Sequence, residues 1–152
     1  MTEPFENAYR YTECGLDNVF LRDLPVVKDK AGEETVTIPY INQLHRVIRL
    51  GLALKDTGLD PKELRFLRTE SGLTQAELAE VVNKDAQTVG RWERGETPVD
   101  RSAETLIRLM ALEDLGEEVS VRELAIKSVP SATAGPHIID ASNPRDYRLL
   151  AA

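Results

Sequence analysis

Between positions 60 and 100 the chain punctuates itself so closely that little besides a compact bundle of short helices is open to it. Asp60 and Glu63 stand at the spacing of a capping box, with Pro61 in the first turn, and open a helix over PKELRFLRTES that Gly72 closes. Thr74 and Glu77 repeat the spacing and open TQAELAEVV, a helix of about two turns ending at Asn83. Asp85 then caps DAQTVGRWERG, and Gly95 stops it. GETPVD leads into a fourth helix, RSAETLIRLMALEDL, where Leu106, Leu109, Met110 and Leu112 are expected to form the buried stripe.

On either side the pattern changes. Short runs with aromatic and β-branched residues, Tyr9 to Thr12, Val19 to Leu21 and Glu34 to Ile38, are separated by CGLDN, Pro25 and KDKAG and read as a small antiparallel sheet. The turn at Gly15 to Asn18 is made of ordinary turn formers, and its alternative reading exposes Asn18 and Phe20 to a partner. Leu44, Val47, Ile48 and Leu52 then fall at helical spacing, which predicts a helix from Ile41 to about Lys55. Beyond Gly116 the signal weakens, SVPSATAGP reads as a linker, and PHIIDASNPRDYRLLAA shows no strong period. The expected fold is mainly α: a helical unit over 58–116, preceded by a small α+β module with short antiparallel strands over 1–57. A C-terminal extension over 117–152, partly ordered or ordered by a partner, should follow.

The 152 residues, 41% of them apolar, can bury a real core. No run approaches the roughly 18 apolar residues of a membrane helix, and MTEPFENAYRYTE has neither the basic start nor the apolar middle of a secretory leader. We therefore expect a cytoplasmic protein without a membrane partner, and the lone Cys14 fits a reducing compartment. A net charge of -7 argues against a polyanionic ligand. The segments carry 7 basic against 9 acidic residues over 1–57, 8 against 12 over 58–116, and 4 against 5 over 117–152. Any contact with phosphate must therefore rest on a few well-placed cations.

The third helix supplies such a placement. On a wheel of about 100° per residue with Gln87 at zero, Arg91 falls near 40°, Arg94 near −20° and Gly90 near −60°. Thr88, Trp92, Asp85 and Val89 occupy the other side. Val89 and Trp92 are fit to anchor the helix, so Gln87, Gly90, Arg91 and Arg94 should point outward. Gln offers the donor and acceptor pair that suits adenine, and Arg the fork that suits guanine. Gly90 either permits close approach to a groove wall or is a glycine tolerated at about 1 kcal/mol relative to Ala. Two short helices joined by a tight turn, the second presenting polar side chains, have helix-turn-helix geometry.

The stretch LRFLRTESGLTQAELAEVVNKDAQTVGRWERGETPV resembles the Xre or Cro/repressor class of helix-turn-helix domains. The likeness rests on Leu64, Arg65, Leu67 and Arg68, on Leu73, Thr74, Gln75, Leu78 and Ala79, and on Val89, Trp92, Glu93, Gly95 and Pro98. It implies a dimer that binds operator DNA, with Ala86, Gln87 and Arg91 at base-reading positions. Ala86 departs from the polar residue often found there and offers at most an apolar contact to a thymine methyl. Gln75, Lys84, Thr88, Arg94 and Thr97 are expected at the DNA backbone, Gln75 because its helix N-terminus favours an anion. Gln75 also reads as an ordinary exposed first-turn residue, and Arg94 as half of a solvated ion pair with Glu93 or Glu96.

The order of YRYTECGLDNVFL, TIPYINQLHRVIRLGL and PKELRFLRTESGLTQAELA is similar, more loosely, to antitoxins of the MqsA and HigA type. In the MqsA type, two CxxC pairs of an N-terminal module hold zinc and the module carries the toxin-binding surface. With Cys14 as the one cysteine no four-sulfur site can be built, so we expect no metal and no cofactor. His45 reads as a helix-face histidine, and His137 lies in the tail. Catalysis has no support, because no partner for the Cys14 thiol stands at a recognisable spacing. The expected function is a sequence-specific repressor on double-stranded operator DNA, dimeric, with an autoregulating antitoxin bound to a toxin as its narrower form. A protein-interaction adaptor that keeps the fold without binding DNA is the alternative. Candidates for the dimer surface are the exposed remainder of the fourth helix, the tail and the N-terminal sheet.

Overall fold

A computed structural model describes residues 8–128 and 135–151. Helix α1 spans Ile41–Leu54, α2 Pro61–Glu70, α3 Gln75–Val81, α4 Ala86–Glu93, α5 Arg101–Asp114 and α6 Val121–Lys127. The fold is mainly α, with a small strand-bearing module before the helical core. The caps form as the sequence requires. The Asp60 carboxylate accepts from the Glu63 N–H at 2.7 Å, and Glu63 accepts from the Asp60 N–H at 2.9 Å. Thr74 and Glu77 repeat this at 3.1 and 3.0 Å, and Asp85 accepts from the Thr88 N–H at 2.7 Å. Asn83, at φ 57°, turns the chain between α3 and α4.

Strands β1 (Ala8–Arg10) and β2 (Val19–Arg22) pair antiparallel as expected. The third run does not join them. It forms β4 (Glu34–Val36), which pairs only with β3 (Val26–Lys28) in a separate hairpin. The cause is local: the Asp29 carboxylate accepts from the N–H groups of Ala31 and Glu33, each at 2.9 Å, and so closes the KDKAG turn on itself. The tail supplies the remaining strands. β5 (His137–Asp140) runs parallel to β2, and β6 (Arg148–Ala151) returns antiparallel to β5, giving the order β1-β2-β5-β6. Ile138 and Ile139 are both buried, as befits an inner strand covered on both faces. The Tyr147 hydroxyl, donating to the Pro39 carbonyl at 2.7 Å, ties the returning segment to the entry of α1.

In α5 Leu112 is buried as expected, but the rest of the buried face is rotated from the expected stripe. Ala103, Ile107, Ala111 and Leu112 face the core, whereas Leu106 is 42% exposed and Leu109 and Met110 are half-buried. The rotation follows from two charged residues that turn inward. Arg108, fully buried, donates to the carbonyls of Ala53 at 3.0 Å, of Thr57 at 3.4 Å and of Lys55, which α1 leaves open at its C-terminal end. Glu104 accepts the Leu59 N–H from the same side.

A second buried polar centre lies beside it. Glu63 has no exposed surface, and it accepts from Lys55 Nζ at 2.7 Å, from Asn18 Nδ2 at 3.3 Å and from the His137 ring. Asn18, expected as a candidate for exposure, is therefore buried, and it also donates to the Gly135 carbonyl at 2.9 Å. His137 of the tail sits in the core at 1% exposure.

Candidate nucleic-acid interface

Val89 and Trp92, at 0% and 4% exposure, fix α4 to the core and set its rotation. The opposite side of the helix carries Ala86, Gln87 and Arg91, all exposed, and Arg94 follows at the C-cap. These four line one open depression of about 450 Å³, together with Gln75 from the first turn of α3 and Gly90. Lys84 and Thr97 are exposed and Thr88 is half-buried, and all three lie outside that lining. The structure thus brings five of the eight candidate residues to one surface and leaves three outside it.

Gly90 does not point into open space, contrary to the wheel. It is buried beneath two side chains: a Cβ built there would lie 2.9 Å from Arg94 Nη1 and 3.5 Å from Gln75 Oε1. The wheel treats a helix as free-standing and misses side chains that lean over it from the first turn of α3 and from the helix end.

Gln75 and Arg94 are held by carboxylates of opposite kinds. Arg68 grips Glu93 with a fork, Nε to Oε2 at 2.6 Å and Nη2 to Oε1 at 2.9 Å, and donates to the Leu73 carbonyl at 2.8 Å. Glu93 is thereby fixed with its side chain 3% exposed, and its Oε1 accepts from Gln75 Nε2 at 3.2 Å. Arg94 instead reaches Glu96, Nε to Oε1 at 2.9 Å and Nη2 to Oε2 at 3.3 Å, with the side chains 58% and 53% exposed. The hydrogen bond from Arg94 holds the Glu96 carboxyl below its ordinary range. Arg68, Glu93 and Glu96 were not among the candidate site residues. The sequence did point to Glu96 as an ion-pair partner of Arg94, and the pair forms; the Arg68 fork on Glu93 was not legible.

Among the described residues no group of three or more His, Cys, Asp or Glu side chains is placed to hold a metal ion. His45 bridges the Tyr11 hydroxyl and the Glu70 carboxylate, at 2.7 Å each, and the Cys14 thiol donates weakly to the Tyr11 carbonyl at 3.9 Å. No helix among the described residues is long and apolar enough to cross a membrane.

A family model described as helix-turn-helix matches residues 64–112, which takes in α2 to α5 almost entirely. Over that third of the chain the protein is similar to the helix-turn-helix family. The match supports a DNA-binding transcription regulator in general, of the Xre type, in a family that is regulatory rather than enzymatic. No curated protein and no solved structure matches the chain. Within the matched residues, α3 and α4 are the two short helices about the Asn83 turn, and the depression lies along the second of them.

Proposed function

We propose that the protein is a sequence-specific repressor that lays α4 in the major groove of an operator. In this reading Gln87 and Arg91, with Ala86, meet base edges, while Gln75, Lys84, Thr88, Arg94 and Thr97 meet the backbone. The observation that carries it is that Gln87 and Arg91 stand exposed on the face opposite Val89 and Trp92, with Gln75 and Arg94 beside them. The protein acts as a homodimer, because one recognition helix covers few base pairs and two copies about one helical turn apart multiply the contacts. The test is fluorescence anisotropy on the duplex upstream of its own gene. Wild type should bind in a salt-sensitive, sequence-specific manner, and Arg91→Ala should cost about 1–3 kcal/mol, some 5- to 150-fold, while relaxing specificity. Unaltered binding by the variant refutes the assignment of α4.

Its narrower form is an autoregulating antitoxin, supported by the order of segments that resembles the MqsA type and by an acidic surplus that suits a basic, RNA-cleaving toxin. Co-purification with the product of an adjacent basic reading frame checks it. The adaptor reading draws on one observation, the 8 basic against 12 acidic residues of 58–116. It predicts no duplex binding at all.

A further inference from the structure

We propose that Glu96 is a built-in competitor for the DNA backbone: its carboxylate occupies the Arg94 guanidinium in the free protein and yields it to a phosphate oxygen when a duplex docks. The inference rests on the DNA-binding reading above and assigns a residue that the reading does not include. The backbone fixes where the competitor sits. Gly95, at φ +75°, donates its N–H to the Trp92 carbonyl at 3.1 Å, and Glu96 donates its own to the Arg91 carbonyl at 2.9 Å. This is the paired closure of a Schellman motif, which folds Glu96 back against the end of α4. A carboxylate at a helix C-terminus is unfavourably placed against the helix dipole, so its position there is compensated by the arginine it holds.

The contrast with Glu93 gives Glu96 its role. Glu93 is locked by Arg68 and presets Gln75 for contact, and nothing in solvent can replace it cheaply. Glu96 and Arg94 are each more than half exposed, and a pair of that kind is weak and open to exchange. A phosphodiester offers a pair of anionic acceptor oxygens that, like the carboxylate's, suits the guanidinium fork. The Arg94 guanidinium also lies over Gly90, on the surface the duplex would approach, so docking and release of the pair are one event. Glu96 in this role lowers affinity for every sequence alike, which shortens residence on non-operator DNA.

The experiment selects a duplex from a randomised pool with wild-type protein and measures anisotropy on that duplex and on a shuffled one at a single salt concentration. Glu96→Gln should tighten both by about three- to tenfold, and Arg94→Ala should weaken both. In the Arg94→Ala background the gain from Glu96→Gln should shrink below about twofold, as expected for a pair that acts through contact. An unchanged or weaker Glu96→Gln overturns the proposal, as does a gain that persists undiminished without Arg94, because the effect would then be the general field of one charge. Selection of no duplex by wild type instead overturns the DNA-binding reading and the proposal with it. Each altered side chain lies on the surface, and an unshifted thermal midpoint for each variant ties the binding change to the interface.

Discussion

Glu63 shows how one side chain serves two purposes. As a capping residue it satisfies the Asp60 N–H, and as a buried anion it gathers Lys55, Asn18 and His137 from the C-cap of α1, the N-terminal loop and β5. Burial alone would push its carboxyl up. The His137 hydrogen bond, the Lys55 charge and the Asp60 N–H outweigh that and hold it at about 2, against an ordinary value of 4.5. In the unfolded chain the group takes up its proton near the ordinary value, so its contribution to stability is complete above that pH and is lost as the pH falls toward 2. Glu63→Gln strands Lys55 and His137 and should cost about 3–5 kcal/mol at neutral pH, read from urea midpoints. Wild type should therefore lose stability between neutral pH and about pH 3, and the same variant should flatten that loss. The capping role was legible from the Asp60 to Glu63 spacing. The ionic role was not, because its partners are supplied by folding from positions as far away as His137.

Elements defined by local punctuation were readable, and those defined by distant partners were not. The helices α2, α3 and α4 fall where the caps and the residues at positive φ, Gly72, Asn83 and Gly95, put them. The stripe of α5 was misplaced because Glu104 and Arg108 look solvent-facing by type, whereas the open carbonyls after α1 draw Arg108 inward. In α4 the anchoring side was legible from Val89 and Trp92, and the covering of Gly90 was not. Gly90 lies within a helix at an ordinary φ, and the nearest atom to an added Cβ is the mobile end of Arg94. Gly90→Ala should therefore raise stability by about 0.5–1 kcal/mol in thermal or chemical denaturation. It should at the same time weaken duplex binding, because the methyl displaces Arg94 and fills the space beneath it.

At the scale of the molecule, the sheet and the helical core share one interior. Val19, Leu21 and Ile139 from the sheet, Leu44 and Leu52 from α1, Leu64 from α2 and Trp92 from α4 belong to a single apolar cluster. We expect one cooperative transition rather than separate melting of the strands and helices. Trp92, the one tryptophan, reports on this from within α4. Ile139→Ala, in β5, should cost about 2–5 kcal/mol and shift the midpoint followed by Trp92 fluorescence by the same amount as that followed by circular dichroism. A Trp92 midpoint that stays in place would separate the sheet from α2 to α5. The parallel strand also sets an order of events during synthesis. Asn18 waits for Gly135, 117 positions later, before its side chain finds a carbonyl. A chain leaving the ribosome therefore brings out α2 to α5, and with them the exposed face of α4, before the strand that seals the sheet.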